Sequence, residues 1–323
     1  MQSVIETRNL VKKFKDVVAV DSVSFKVYRN EIYGLLGPNG AGKTTTINIL
    51  ITLLKPTSGE AYIEGIDVVK KPAEVRKRIG VVFQDPTLDM FLTAYENMYI
   101  HGRIYGLSGK ELEKRIYELL DFVDLKQYAN KVVRYFSGGM RRRLEIARAL
   151  IHEPAILFLD EPTVGLDPQT RNKVWEYIMR IRKEKEITIL MTTHYMDEAE
   201  MLCDRIAIMD HGKIIAEGTA DYLKSLIGSD IIIVRFQEQR NICLEPGNGI
   251  ISCKEIVGGG VELVVRDATK ILPKIFEEYE ARGISIAEIS YRRPSLNEVF
   301  LHLTGRELRD SLEDTPRPTR RWR

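Results

Sequence analysis

The chain has 323 residues, of which 44% are hydrophobic and 29% are charged, so it is predicted to fold into about two globular domains rather than to be disordered, collagenous or a disulfide scaffold. Lys and Arg number 48 against 46 Asp and Glu, and a net charge of +2 does not by itself indicate a nucleic-acid partner. No apolar run approaches the ~18 residues that span a bilayer, and the N-terminus has no secretory pattern. Three cysteines without a C-x-x-C motif indicate reduced thiols in the cytosol.

Residues 1–218 alternate short apolar runs with helical patterns, which is typical of an α/β domain with a parallel sheet. Each run is apolar, short and bounded by polar or turn residues, as expected of strands buried on both faces. The runs are Ile32–Leu36, Ile79–Phe83, Ala155–Leu159 and Ile187–Thr192. The stretch from about residue 85 to residue 150 is rich in helix formers and is predicted to form a helical insert.

A second unit is predicted after a linker at 219–228, and its pattern over 229–305 indicates a small α+β domain. Strands are expected at Asp230–Phe236, Ile250–Val257, Val261–Arg266 and Ile284–Ser290, and helices from the N-cap Asp267 to Ala281 and at Leu296–Leu303. Residues 306–323 hold two prolines and end with four arginines among seven residues, and they are predicted to be disordered.

One motif stands directly between a predicted strand and a helix that opens at Thr45. It is the run Gly37-Pro38-Asn39-Gly40-Ala41-Gly42-Lys43-Thr44, which matches G-x-x-x-x-G-K-[ST] in full. Its glycines allow backbone N–H groups to point at phosphate oxygens, and the helix N-terminus favours an anion. Lys43 is expected to reach the β- and γ-phosphates, and the Thr44 hydroxyl to bind Mg²⁺.

Polar residues follow the other predicted strands at the point where each strand ends. Asp160 and Glu161 come after Leu157–Leu159, Gln84 follows Phe83, and His194 follows Thr193. Because ligands of parallel sheets bind at the carboxyl ends of strands, these side chains are expected to converge on one edge. Asp160 is predicted to hold Mg²⁺, Glu161 to act as the general base on water, Gln84 to contact Mg²⁺ or that water, and His194 to bind the γ-phosphate.

A second anion cradle is predicted at Ser137-Gly138-Gly139, which precedes an amphipathic helix. A plain helix cap would have the same sequence and is the alternative interpretation. If the segment does bind an anion, one nucleotide does not need two such cradles. A head-to-tail dimer accounts for both, because Ser137 and Gly139 of one subunit would then cover the phosphate held by the other.

Taken in order, these motifs resemble the ATP-binding subunit of an ABC transporter over roughly residues 3–218. Ser137-Gly138-Gly139 is similar to the signature of that family, although Met140 stands where the family has Gln. The resemblance implies a D-loop ending at Asp167, an adenine contact by Phe14, and MgATP as the bound nucleotide. The fold it implies is a P-loop NTPase cassette with a parallel-sheet core and a helical insert.

The C-terminal unit resembles that of daunorubicin-resistance-type export ATPases in its segment Pro294–Gly305. This resemblance implies an ATPase that powers efflux of a drug, antibiotic, lipid or polysaccharide from the cytoplasmic face of the membrane. The pore would come from a separate permease, which Asp85–Ala94 would contact, and the ATPase would pair with itself or with another ATPase subunit. No specific nucleic acid is expected.

Alternative interpretations apply to the function and to two segments of the chain. A soluble ABC-type ATPase acting on ribosomes or DNA is the alternative function, although the chain has one phosphate loop and no sustained heptads. A regulator that does not hydrolyse is disfavoured by Glu161 and His194. The C-terminal unit is either a dimer brace or a sensor, and Arg141–Arg143 is predicted to be a solvated helix face with one arginine near the nucleotide.

Overall fold

The structure is a computed structural model that describes residues 2–227, 230–237, 242–256, 259–292 and 294–305. The predicted tail at 306–323 lies outside these residues. The chain divides into two compact units, of which the first ends at Thr219 and the second begins at Ala220. Within the described ranges, none of the helices is both long and apolar enough to cross a membrane.

The first unit combines two sheets with helices, and two single 3₁₀ turns at Lys126–Tyr128 and Val133–Tyr135 precede its fifth helix. Its strands and helices are, in chain order, β1 (Ser3–Phe14), β2 (Val17–Tyr28), β3 (Ile32–Leu36), α1 (Lys43–Leu50), β4 (Ser58–Ile63), β5 (Ile66–Asp67), α2 (Pro72–Arg76), β6 (Ile79–Val82), α3 (Ala94–Ile104), α4 (Gly109–Phe122), α5 (Gly138–Ala149), β7 (Ile156–Asp160), α6 (Pro168–Lys185), β8 (Thr188–Thr193), α7 (Met196–Leu202), β9 (Arg205–Asp210) and β10 (Lys213–Gly218).

A six-stranded sheet in the order β10-β9-β3-β8-β7-β6 forms the centre of this unit. All neighbouring strands from β9 to β6 run parallel, and only β10 is antiparallel. The predicted α/β fold with a parallel-sheet core and a helical insert is therefore confirmed. Parallel order brings the carboxyl ends of β3, β6, β7 and β8 to the same edge of the sheet.

Alternate residues of β7 belong to two different cores, which explains its unbroken apolar sequence. Leu157 and Leu159 pack with the helical insert, including Leu144 of α5. Ile156 and Phe158 pack on the opposite face, against the core that includes α1 and the second sheet. Both faces of the central sheet are thus covered by apolar side chains.

The second sheet of this unit is antiparallel, in the order β2-β1-β4-β5, and was not predicted from the sequence. Its two long strands are interrupted by register shifts, for example between Thr7 and Leu10. Asn9 and Ser22 adopt positive φ angles of 46° and 57° at these irregularities. Such bulges break the period-two alternation by which a half-buried strand is recognised.

The second unit is an antiparallel sheet in the order β12-β13-β11-β14 with α9 packed on one face. Its elements are α8 (Ala220–Leu226), β11 (Asp230–Phe236), β12 (Ile250–Glu255), β13 (Val261–Val265), α9 (Ala268–Ala281), β14 (Ile286–Arg292) and α10 (Leu296–Thr304). Asp267 caps α9 and Ser295 caps α10. Most of the stretch expected to be a linker, residues 219–228, is helix α8.

The cysteines differ from the expectation of reduced thiols. Cys243 and Cys253 form a disulfide, whereas Cys203 is a free thiol, and burial raises its pKa well above the ordinary value. The pairing depends on the approach of Cys243 to β12, which the ten-residue spacing in the sequence does not reveal.

Candidate active site

The glycine-rich loop connects β3 to α1 and depends on glycine at two close backbone contacts. Gly42 is the N-cap of α1 and has a φ of 101°, in the left-handed region that favours glycine. A Cβ atom on Gly42 would lie 2.3 Å from the carbonyl oxygen of Ala19, and one on Gly37 would lie 2.3 Å from that of Met209. A side chain at either position would displace the loop.

Substitution of Gly42 by alanine is expected to abolish nucleotide binding, because the new methyl group meets backbone that cannot move aside. Gly40→Ala is the matched control, since Gly40 also has a positive φ, of 81°, but its Cβ would have no neighbour within 4 Å. The control should lose only about 1–2 kcal/mol of stability from backbone strain. Titration with a fluorescent ATP analogue and thermal unfolding of both variants check this, and equal binding by the two variants would contradict it.

Lys43 is buried at the base of the loop and is held by three oxygen atoms. Its Nζ donates to the carbonyl oxygens of Gly37 and Pro38, at 2.7 and 3.0 Å, and lies 3.4 Å from Oε1 of Glu161. Burial lowers the pKa of Lys43, and the Glu161 carboxylate opposes this shift. The ammonium group is thus positioned between the loop and the carboxylates at the sheet edge.

Asp160 ends β7 and accepts hydrogen bonds from two threonines. The Thr44 hydroxyl donates to its Oδ1 at 3.2 Å, and the Thr192 hydroxyl donates to the same atom at 2.5 Å. Burial raises the pKa of Asp160 although both hydroxyl groups oppose the shift. Thr192 was not predicted from the sequence, because nothing in an apolar strand marks which of its side chains faces the neighbouring strand's carboxylate.

Glu161 is the residue on which the other polar groups converge. Its Oε2 accepts a hydrogen bond from Nε2 of Gln84 at 3.2 Å and lies 3.3 Å from Nδ1 of His194. Its backbone N–H donates to the Thr192 hydroxyl at 3.0 Å, and its φ is 45°. Burial would raise the pKa of Glu161, but His194 and Lys43 outweigh burial and hold the pKa below the usual value. A carboxylate that is ionised at neutral pH can accept a proton.

The predicted metal ligands are Thr44, Gln84 and Asp160, which offer a hydroxyl, an amide and a carboxylate oxygen. Thr44 and Asp160 are in direct contact, and Gln84 contacts the adjacent Glu161. The described residues contain no group of three or more His, Cys, Asp or Glu that could hold a metal. An all-oxygen donor set is of the type that suits Mg²⁺.

Ser137 and the two following glycines lie at the N-terminus of α5. The Ser137 hydroxyl accepts a hydrogen bond from the backbone of Met140 at 3.3 Å. Ser137 and Gly138 are exposed, whereas Gly139 is buried, and a Cβ atom there would lie 2.3 Å from Cγ2 of Thr170. The cradle therefore presents its first two residues to solvent.

Asp167 caps α6 and belongs to the loop beside this cradle. Its carboxylate accepts hydrogen bonds from the backbone and the hydroxyl of Thr170, at 3.0 and 2.6 Å, and these bonds lower its pKa. Phe14 lies at the end of β1 and is 44% exposed, with Nζ of Lys12 5.0 Å from its ring centroid. An exposed aromatic ring of this kind has a free face on which a base could stack.

The expectation for Arg141–Arg143 was a solvated face with one arginine packed near the nucleotide, and Arg142 is the buried one of the three. Its side chain is only 7% exposed and pairs with Glu145, which is equally buried. The opposite charges at an i, i+3 spacing do not reveal this burial, because the same spacing is typical of exposed helix faces.

The geometry defines a P-loop nucleoside triphosphatase, with a phosphate loop and two buried carboxylates at one edge of a parallel sheet. Residues 20–164 match the family described as "ABC transporter", and residues 218–304 match "ATP-binding protein DrrA1-3-like, C-terminal domain".

Two relatives align with nearly the whole chain. The daunorubicin resistance ATP-binding protein DrrA3 of Streptomyces coeruleorubidus is 41% identical over 304 residues, which cover 92% of this chain and 95% of that protein. The Nod factor export ATP-binding protein I of Cupriavidus pinatubonensis is 40% identical over 313 residues, which cover 96% of this chain and 93% of that protein.

A solved structure, the dimeric post-hydrolysis state of the ATP-binding cassette MJ0796 bound to ADP and Pi, is 32% identical with a TM-score of 0.61. The match covers 67% of this chain and 98% of that one. The chain thus belongs to the ABC transporter ATP-binding proteins and is an ATP-hydrolysing transporter subunit. Action on ribosomes or DNA is not favoured.

Proposed function

We propose that two copies of this chain pair head to tail and drive export through a separate permease at the cytoplasmic face of the membrane. Each ATP would lie between the phosphate loop of one copy and the Ser137–Gly139 cradle of the other. The names of the relatives, which concern daunorubicin resistance and Nod factor export, favour export of a drug or of a signalling compound of the Nod factor kind. The dimeric MJ0796 structure supports the pairing.

The convergence of Lys43, Gln84 and His194 on Glu161 is the observation that carries the proposal. Glu161 would accept a proton from the water that attacks the γ-phosphate, and Gln84 would help to orient that water. Lys43 would leave the carbonyl groups of the loop to bind the β- and γ-phosphates. His194 would contact the γ-phosphate. Positioning and charge stabilisation therefore supply the catalysis.

We assign Thr44, Asp160 and Gln84 to Mg²⁺, with Asp160 acting through a bound water. When bound, Mg²⁺ would neutralise charge on the β- and γ-phosphates. The exposed Thr44 hydroxyl already lies against Asp160, so both oxygens face the same point. Thr192 would keep Asp160 oriented for that task. The remaining loop residues would bind phosphate through their backbone N–H groups, and Phe14 would stack on the adenine.

The permease would bind beside α3, where several apolar side chains are exposed. Phe91 is 79% exposed and Ile104 is 74% exposed. A groove of about 240 Å³ lies in the same unit, lined by Leu53, Tyr105 and others. The lining also includes Arg76, His101 and Arg148, so the groove is suited to a short amphipathic helix from a partner. The segment Asp85–Ala94 contains Phe91, in line with the contact implied by the family resemblance.

Capture of the tagged chain from detergent-solubilised native cells is expected to bring down a polytopic membrane protein in a stoichiometric amount. Phe91→Asp should remove most of that partner, because a charge would be placed in an apolar contact. Met201→Asp is the control, since Met201 is 65% exposed but lies on α7. Quantitative mass spectrometry of the three captures checks the prediction. Ribosomal or DNA-maintenance proteins without a membrane protein would contradict it.

A further inference from the structure

Helix α5 carries three charged residues at positions i, i+3 and i+6 that all contact the segment containing Gln84. They are Arg142, Glu145 and Arg148. The first two are buried and form an ion pair with Nη1 3.1 Å from Oε2. The same helix begins at the Ser137–Gly139 cradle, so any displacement of the cradle moves this charged row.

The Arg142 guanidinium binds backbone on both sides of the catalytic centre. Its Nε donates to the carbonyl oxygen of Pro162 at 2.6 Å, and its Nη2 donates to that of Glu161 at 2.9 Å. Its Nη1 donates to the carbonyl oxygen of Phe83, the residue before Gln84, at 2.6 Å. One rigid planar group therefore fixes the backbone at Glu161 relative to the backbone beside Gln84.

The other two residues of the row fix the next part of the Gln84 segment. The Glu145 carboxylate accepts a hydrogen bond from the backbone of Thr87 at 2.8 Å. Nη1 of Arg148 donates to the carbonyl oxygen of Thr87 at 2.8 Å, and Nη2 of Arg148 donates to the Thr87 hydroxyl. Every polar group of Thr87 is thus bound by α5, and the segment from Phe83 to Thr87 follows that helix.

We infer that Arg142 is a positioning residue that links the helix of the Ser137–Gly139 cradle to Glu161 and Gln84. The position of the cradle then determines the position of the catalytic Glu161 carboxylate. The inference rests on the proposed function, in which the cradle contacts the nucleotide of the partner copy. Binding at one site of the dimer then adjusts the geometry of the other. Displacements of about 1 Å in a catalytic group change rates by about 10²-fold, so a short rigid link is sufficient.

A purely structural role is the competing explanation, because a buried guanidinium with four hydrogen bonds also supports folding. Removal of one partner of a buried ion pair leaves the other charge uncompensated. The test therefore uses Arg142→Gln alone and together with Glu145→Gln, which removes both charges and keeps an amide at each position. Arg143→Gln is the matched control, since Nη1 of Arg143 instead binds the Val123 carbonyl and the Tyr177 hydroxyl at 2.9 and 3.2 Å.

For the full-length chain, Arg142→Gln is expected to lower kcat for ATP hydrolysis by about 30-fold or more. The affinity for a fluorescent ATP analogue should change by no more than about twofold, because Arg142 has no contact with the phosphate loop among its hydrogen bonds. The double variant should have a higher melting temperature than Arg142→Gln but the same low kcat. Arg143→Gln should keep the wild-type kcat even if its melting temperature falls. A kcat that returns with stability in the double variant would overturn the inference.

Hydrogen exchange of the nucleotide-free chain supplies a measurement that needs neither hydrolysis nor a dimer. Arg142→Gln and the double variant should exchange faster at both the segment 83–87 and the segment 161–166, and Arg143→Gln at neither. Unchanged exchange at either segment would overturn the inference, because the link would then be absent. A chain that shows both exchange changes but forms no dimer with ATP would overturn the proposed pairing and leave the link between α5 and Glu161 in place.

Discussion

Glu161→Gln is expected to lower steady-state ATP turnover by about 10³-fold while leaving the affinity for ATP nearly unchanged. The amide has the shape of the carboxylate but cannot accept the proton of the attacking water. Lys43 and His194 keep the wild-type carboxylate ionised in spite of its burial, and this advantage is lost in the variant. Nothing in the phosphate loop itself is changed.

The same variant should accumulate as an ATP-bound dimer, because the step that opens the dimer has been removed. Light scattering in the presence of ATP and Mg²⁺ measures the mass directly. Glu176→Gln serves as the control, since Glu176 is exposed on α6. A Glu161→Gln chain that remains monomeric under these conditions would show that the composite two-copy site is wrong.

Lys43→Met is expected to lower the affinity for ATP by at least about 100-fold and to abolish measurable turnover, since charged hydrogen bonds to phosphate are lost. Methionine fills a similar volume but has no cation. This result would distinguish the proposed role of Lys43 in binding the nucleotide from the proposed role of Glu161 in activating the water. Lys77→Met is the control, because Lys77 is exposed beyond α2. Wild-type turnover by the Lys43 variant would exclude the proposed site.

The stability of the Lys43→Met variant should depend on pH with a definite sign. Burial raises the pKa of Asp160, and Lys43 opposes this shift, so the pKa should rise further without the lysine. A carboxyl group whose pKa is raised on folding contributes stability below its unfolded value and loses it as the pH rises through the folded value. The loss in unfolding free energy relative to wild type should therefore be larger at pH 7 than at pH 4. Urea unfolding at both values measures it, and an equal loss would contradict this explanation.

Local features of this chain could be predicted from its sequence because the information lies within a few residues. The phosphate loop is one contiguous motif, and its glycines, lysine and threonine lie within one short stretch of sequence. The four strands at the site were located by their apolar runs, and the cap Asp267 by a residue type that accepts backbone hydrogen bonds. The convergence at Glu161 was also predictable, because strand order in a parallel sheet determines which ends meet.

The remaining features were decided only by the tertiary structure. Thr192 reaches Asp160 across 32 residues of chain, and Arg142 reaches Pro162 across 20. The same is true of the antiparallel sheet, whose bulged strands lack a clear period, and of the disulfide between Cys243 and Cys253. An arginine or threonine has the same local sequence signal whether it is solvated or buried. Its partners become defined only when packing excludes water and every buried polar group must find a hydrogen bond within the protein.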